Sequence, residues 1–154
     1  MIRSLLLALA LASGAAGAQD AALPNDSVPA LDLQRYGGEW HEIAHLPMFF
    51  QRKCVANITA TYTPRADGTV GVRNACDEKN GERMVSEGTA RAVPGHPGRL
   101  EVRFAPEWLA WAPMVWADYW VVELDPEYRW AVVGGPSRKY LWILSRTPTM
   151  DRTQ

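Results

Sequence analysis

Along most of this chain hydrophobic and polar residues alternate in short runs, the period of two that a half-buried β-strand requires. The first such run is Trp40 to Ala44, followed by an apolar loop, Leu46-Pro47-Met48-Phe49-Phe50. Cys54 to Thr63 and Thr69 to Cys76 flank Pro64-Arg65-Ala66-Asp67-Gly68, a five-residue, glycine-ended loop of hairpin type. Met84 to Val93 comes next, then a turn at Pro94-Gly95-His96-Pro97-Gly98 and a strand over Leu100 to Phe104. Tyr119 to Leu124 turns at Asp125-Pro126-Glu127 into Tyr128 to Val133, and Gly134-Gly135-Pro136-Ser137 leads to a last strand, Tyr140 to Ser145. No amphipathic helix is legible between them. Eight strands joined by adjacent hairpins predict an all-β fold, an eight-stranded antiparallel up-and-down β-barrel that closes its own edges and can still hold one small ligand. A β-sandwich is the alternative that strand counting leaves open.

The pattern is different ahead of the strands. Arg3 and the Leu/Ala run from Leu5 to Leu11, followed by Ala16-Gly17-Ala18, have the charge, apolar length and small-x-small ending of a cleavable export signal over residues 1–18. The apolar run breaks at Ser13-Gly14, well short of the roughly twenty residues of a spanning helix. A lipoprotein signal would place a cysteine just after the cleavage site, and the only cysteines are Cys54 and Cys76. The expected product is therefore exported, periplasmic or secreted, and soluble. Residues 19–30 carry two prolines and no periodicity and read as a flexible leader. The barrel is expected over residues 31–148, with a short tail over 149–154.

Composition narrows the function. Removing eighteen of 154 residues leaves 136, enough for one core. A net charge of −1 gives no basic stripe for phosphates, so nucleic acid is not an expected partner. Seven tryptophans and five tyrosines are many for this length, and such rings either fill a core or line an apolar pocket. His41, His45 and His96 do not form a metal set, and no cofactor motif or nucleophile elbow is present. Asp118 beside Tyr119, and Glu42, inward by alternation from Trp40 along with Ala44, are the candidates for acid–base work. The simpler role for Glu42 is a hydrogen bond in the barrel floor.

Cys54 and Cys76 flank the first hairpin, and their positions sum to 130, close to twice the hairpin's central residue, 65 or 66. That puts them nearly opposite each other at the open end, where an exported chain would join them. A free thiol pair is the alternative, without the Cys-x-x-Cys spacing or histidine cluster that would support it.

Three segments then resemble the signature motifs of the lipocalin family. Tyr36-Gly37-Gly38-Glu39-Trp40 is similar to the Gly-x-Trp motif of the first strand, Asp125-Pro126-Glu127-Tyr128 to the second motif between strands six and seven, and Trp142 to Pro148 to the third, with Arg146. The wording of Trp40 to Ala44 and of Tyr140 to Pro148 most closely resembles the bacterial outer-membrane lipocalins and the apolipoprotein D-like proteins. In a meander all three motifs fall at the closed end, where Trp40 and Arg146 can stack, worth about 1–2 kcal/mol. Gly38, Trp40, Asp125 and Arg146 are thus expected to be structural.

The resemblance also implies a lining: Ile58, Ala60, Val102, Phe104, Tyr119, Val121, Val133, Tyr140 and Trp142, with Tyr119 and Tyr140 as hydroxyl donors. The implied function is carriage of a small apolar ligand, a fatty acid or lysophospholipid, in the cell envelope. The same residues would equally fill a solid core. An enzyme of this fold acting on a lipophilic substrate, or a ligand-free interaction module, are the other classes kept open. Phe49 and Phe50, with Trp108, Trp111 and Trp116 of the apolar run 108–116, are expected on the rim, either touching a membrane transiently or covering each other as a lid. Family members continue into a helix after the last strand. Thr149 to Asp151 reads as its cut-short start, leaving open a truncated product or a member without the helix.

Overall fold

The computed structural model describes residues 25–151 and 153, so the expected signal over 1–18 lies outside the described residues. Eight antiparallel strands close in sequence order into one barrel, β1 (Gly38–His45), β2 (Cys54–Pro64), β3 (Val70–Glu78), β4 (Arg83–Val93), β5 (His96–Arg103), β6 (Ala117–Leu124), β7 (Trp130–Gly134) and β8 (Trp142–Ser145). β1 pairs with both β2 and β8, which rules out a two-sheet sandwich. The strands form where alternation predicts them because the inner face carries most of their burial. Trp40 faces Ala60, Ala60 faces Asn74, and Asn74 faces Ser86, so one inward phase runs across four strands.

The strand ends differ from the sequence reading where local turn chemistry takes over. The turn expected over 94–98 is only Pro94-Gly95, with Val93 opposite His96, and Gly95 at φ +77 is the glycine that a tight Pro-Gly turn requires. Tyr128 has φ +59 and belongs to the β6–β7 turn, so β7 starts at Trp130. Tyr140 precedes β8, which starts at Trp142.

One short helix escaped the pattern, α1 (Leu33–Tyr36). Asp32 caps it by accepting from the backbone N–H groups of Gln34 (2.9 Å) and Arg35 (3.3 Å). Residues 25–30, expected within a flexible leader, are instead docked. The Val28 N–H donates to the Val121 carbonyl at 2.8 Å, Asn25 Nδ2 donates to the Gly135 carbonyl at 3.1 Å, and Asp26 pairs with Arg99 at 2.7 Å. Val28, Leu31 and Leu33 pack against the core, so the segment before β1 closes the barrel's floor.

Arg146 braces the closed end. The Arg146 guanidinium lies 3.8 Å from the centroid of the Trp40 ring, a side chain with no exposed surface. Its nitrogens donate to three carbonyls: Nη1 to Glu39 (3.0 Å), Nη2 to Arg35 (2.7 Å) and Nε to Tyr128 (3.2 Å). Gly38 makes room for it. Its φ is +90, and a Cβ there would stand 3.3 Å from Arg146 Nη1. Buried Asp125 accepts from Arg129 Nε (2.8 Å) and Nη2 (2.7 Å) and from the N–H groups of Glu127 and Arg129. The Arg129 side-chain bonds, aided by those backbone donors, hold its carboxyl down at about 2, so it stays ionised and ties the β6–β7 turn.

Cys54 and Cys76 form a disulfide, with Cα atoms 5.4 Å apart. The geometry that brings them together is not the one expected. Pro64 pairs with Val70, which centres the hairpin on Asp67 rather than on residue 65 or 66, and Cys54 lies opposite Glu78. Two irregularities, between Cys54 and Ala56 and between Ala56 and Thr59, carry Cys54 back towards Cys76. Asn57, at φ +48, sits in the second.

Candidate functional site

Inside the barrel, packing thins from floor to mouth. Tyr36, Trp40, Val70, Val72, Ala90, Leu100, Val121, Ala131, Val133 and Leu144 are all buried. Above them three phenols meet: the Tyr119 hydroxyl is 2.7 Å from that of Tyr36 and 2.8 Å from that of Tyr62. Burial pushes the Tyr62 phenol up to about 12, against the lowering hydrogen bond from Tyr119 and with a further push from Glu42. Burial also raises Tyr36 and Tyr119 well above 10, so this floor is a set of neutral hydroxyls.

Toward the open end the inward phase loses its cover. Ala60, Asn74, Gly88, Tyr119 and Trp142 are half-buried, and Ser86, Phe104 and Ala117 are exposed. Small side chains on β2 and β4 (Ala60, Ser86, Gly88) line one wall. The Phe104 ring lies over Gly88, where an added Cβ would come within 2.8 Å of Phe104 Cδ1. The other wall is aromatic, with Phe50, Tyr140 and Trp142 in successive ring contact, centroids 5.8 and 6.2 Å apart.

The implied lining therefore divides. Val102, Val121 and Val133 are buried in the core; Ala60, Tyr119 and Trp142 pack against it and reach the opening; Ile58, within the β2 irregularity between Ala56 and Thr59, is half-buried. Phe104 and Tyr140, 44% and 40% exposed, stand at the mouth rather than in the lumen. Tyr119 spends its hydroxyl on Tyr36 and Tyr62.

Alternation from Trp40 predicts Ala44 inward, whereas the pairing with β8 turns it outward. The β1–β8 register shifts between Glu42 and Ala44, so Ala44 lies opposite Ile143 while His45 lies opposite Trp142. The extra residue, Ile43, is a bulge that turns Ala44 out and His45 in. The bulge builds a polar cluster the sequence reading missed. Glu42, its side chain only 7% exposed, accepts from Gln51 Nε2 at 2.7 Å and bonds His45 Nδ1 at 2.5 Å, and the Trp142 indole N–H donates to Gln51 Oε1 at 3.0 Å. Glu42 thus bonds upward to the mouth, not within the floor. Gln51 comes from a short 3-10 turn, Phe49–Gln51, and carries no periodic signal that could have marked it.

Beside this cluster a groove of about 320 Å³ opens at the rim, lined by His45, Pro47, Met48, Phe49, Gln51, Arg52 and Cys54. The rim is otherwise apolar. Phe49, Phe50, Trp108, Trp111 and Met114 are exposed, Trp111 by 80% and Met114 by 88%, so the two apolar loops do not cover each other. Trp116 is not part of this rim. Ala117 faces Val102 inside the barrel, which puts Trp116 on the outer wall, between the guanidinium groups of Arg91 (4.0 Å) and Arg103 (5.2 Å). Its indole N–H donates to the Ala110 carbonyl at 2.8 Å and so pins the base of the loop. His41 is also outside, 3.7 Å from Glu39. Among the described residues no helix is long and apolar enough to cross a membrane.

Comparison with known proteins agrees with this architecture. Residues 31–154 match the lipocalin-like domain family. The chain is 46% identical over 127 residues to temperature-induced lipocalin-1 of Arabidopsis thaliana, covering 80% of this chain and 67% of that protein. It is 38% identical over 151 residues to the outer membrane lipoprotein Blc of Vibrio cholerae, covering 96% of this chain and 82% of that protein. Among solved structures, insecticyanin from the tobacco hornworm Manduca sexta superposes with a TM-score of 0.65 at 23% identity, over 84% of this chain and 71% of that one, a likeness of fold.

Proposed function

The chain belongs to the lipocalin family, whose members bind or transport small hydrophobic molecules, and from that premise we propose that it carries a fatty acid or a lysophospholipid in the cell envelope, outside the cytoplasm. The observation that carries this reading is the loss of cover along the inward phase. Ala60, Asn74, Gly88, Tyr119 and Trp142 share the inward phase yet are only half-buried. A solid core would bury them like Val121 and Val133. An acyl chain entering there gains about 0.8 kcal/mol for each methylene removed from water, and the hydroxyl floor stops it.

Titration with fatty acids of increasing length, read by quenching of tryptophan fluorescence, should show affinity rising roughly three- to fourfold per added methylene until the chain meets the tyrosines. Affinity independent of chain length would refute the carrier reading. Mass spectrometry of the same ligand after incubation separates a carrier from an enzyme. The carrier returns it unchanged, whereas a product formed at Glu42 or Asp118 would favour catalysis.

The rim supports a second element of the same reading, transient contact with a membrane. Trp108, Trp111 and Met114 on one loop and Phe49 and Phe50 on the other stand exposed around the opening, where tryptophan favours the lipid headgroup region. Replacing Trp108 and Trp111 together by serine should lower co-sedimentation with phospholipid vesicles about tenfold. Sedimentation insensitive to both changes would remove the rim from the delivery step.

A further inference from the structure

We infer that the groove between the end of β1 and the start of β2 holds the head group of the carried lipid, and that the head group is anionic, a carboxylate or a phosphate. This rests on the carrier reading above and adds to it the chemistry of the ligand's polar end.

The groove borders the lumen across a polar wall. His45 and Gln51 line it, and both bond to Glu42, which faces inward opposite Leu144. Gln51 also accepts from Trp142, a lumen side chain. An acyl chain lying between Ala60 and Trp142 therefore brings its head to this corner of the mouth.

The charges there favour an anion. The groove's ionisable side chains are His45 and Arg52, and no carboxylate lines it. Glu42 keeps its negative charge but turns one oxygen to His45 and the other to Gln51, and it does not line the groove. A carboxylate only accepts, so this contact puts a proton on His45 Nδ1, and Nε2, turned to the groove, donates to an anion when the ring carries its second proton. Arg52 is exposed and has no hydrogen bond or ion pair among the described residues, which leaves its fork free for two oxygens of one head group. Met48, nearly buried, and Phe49 supply an apolar side against the first methylenes of the chain.

The test is calorimetric titration of the wild-type protein and of His45→Gln and Arg52→Gln with oleate, oleoyl lysophosphatidate and methyl oleate. Each substitution should weaken the two anions about tenfold while changing the neutral ester by no more than about twofold. The anion bound more tightly by the wild type identifies carboxylate or phosphate as the preferred head. Equal losses for anions and ester, or anion affinities unchanged by both substitutions, would overturn the head-group site while leaving the carrier reading intact. Failure of the wild type to bind any of the three would overturn both.

Discussion

Arg146→Ala is expected to cost the barrel about 3 kcal/mol and to leave ligand affinity unchanged within about twofold. The stack on Trp40 contributes about 1–2 kcal/mol, and each of three charge-assisted bonds to carbonyls contributes on the order of 1.5 kcal/mol before water takes over part of their role. Those carbonyls belong to α1, to β1 and to the β6–β7 turn, so one side chain ties the floor segment to the barrel's first strand and to the β6–β7 hairpin. A fall in melting temperature on the order of 10 °C should follow. Arg146→Lys should restore little, because one ammonium cannot stack flat and reach three acceptors at once. The lumen opens at the other end, which is why affinity is spared. An unchanged melting curve would show that the floor holds without this residue.

Loss of the Cys54–Cys76 bridge should have an effect of similar size by a different route. The bridge closes a loop with a sequence separation of 22, worth about 3 kcal/mol on the chain-entropy view. Urea denaturation of the Cys54→Ser, Cys76→Ser double variant, beside oxidised and reduced wild type, should place variant and reduced protein together and well below the oxidised form. Coincident midpoints for oxidised and reduced protein would mean that the β-ladder alone fixes this corner. Cys54 also lines the rim groove, so the variant should lose order there before the rest of the barrel unfolds.

The eight strands were legible because a barrel buries one face of each, which turns the fold into a simple period of two. The closed-end lock was legible because it depends on a few residues in motifs, Gly38, Trp40, Asp125 and Arg146. What could not be read was whatever depends on a partner strand. The Ile43 bulge exists through the pairing of β1 with β8, and nothing in the run Trp40 to His45 announces it. Alternation alone therefore gives Ala44 the place that His45 occupies and does not reveal the Glu42–His45–Gln51 cluster. The irregularities before Thr59 hid the register of the cysteines in the same way, although their pairing was correctly read. Trp116 looked like its neighbours Trp108 and Trp111 in composition, and only the two arginines of the outer wall distinguish it. The capped turn Leu33–Tyr36 is too short to show a helical period, though Asp32 ahead of it was a usable signal.

The bulge at Ile43 also gives this wall one place where chain length is free to drift. A β1 shorter by that single residue would still turn Ala44 out and His45 in, against the same neighbours on β8. A residue lost elsewhere in the strand would invert every side chain beyond it. Insertions and deletions among descendants of this sequence should therefore collect at that spot without altering what the mouth presents. Matching first strands between relatives by residue count alone would misidentify the side chain that faces the lumen.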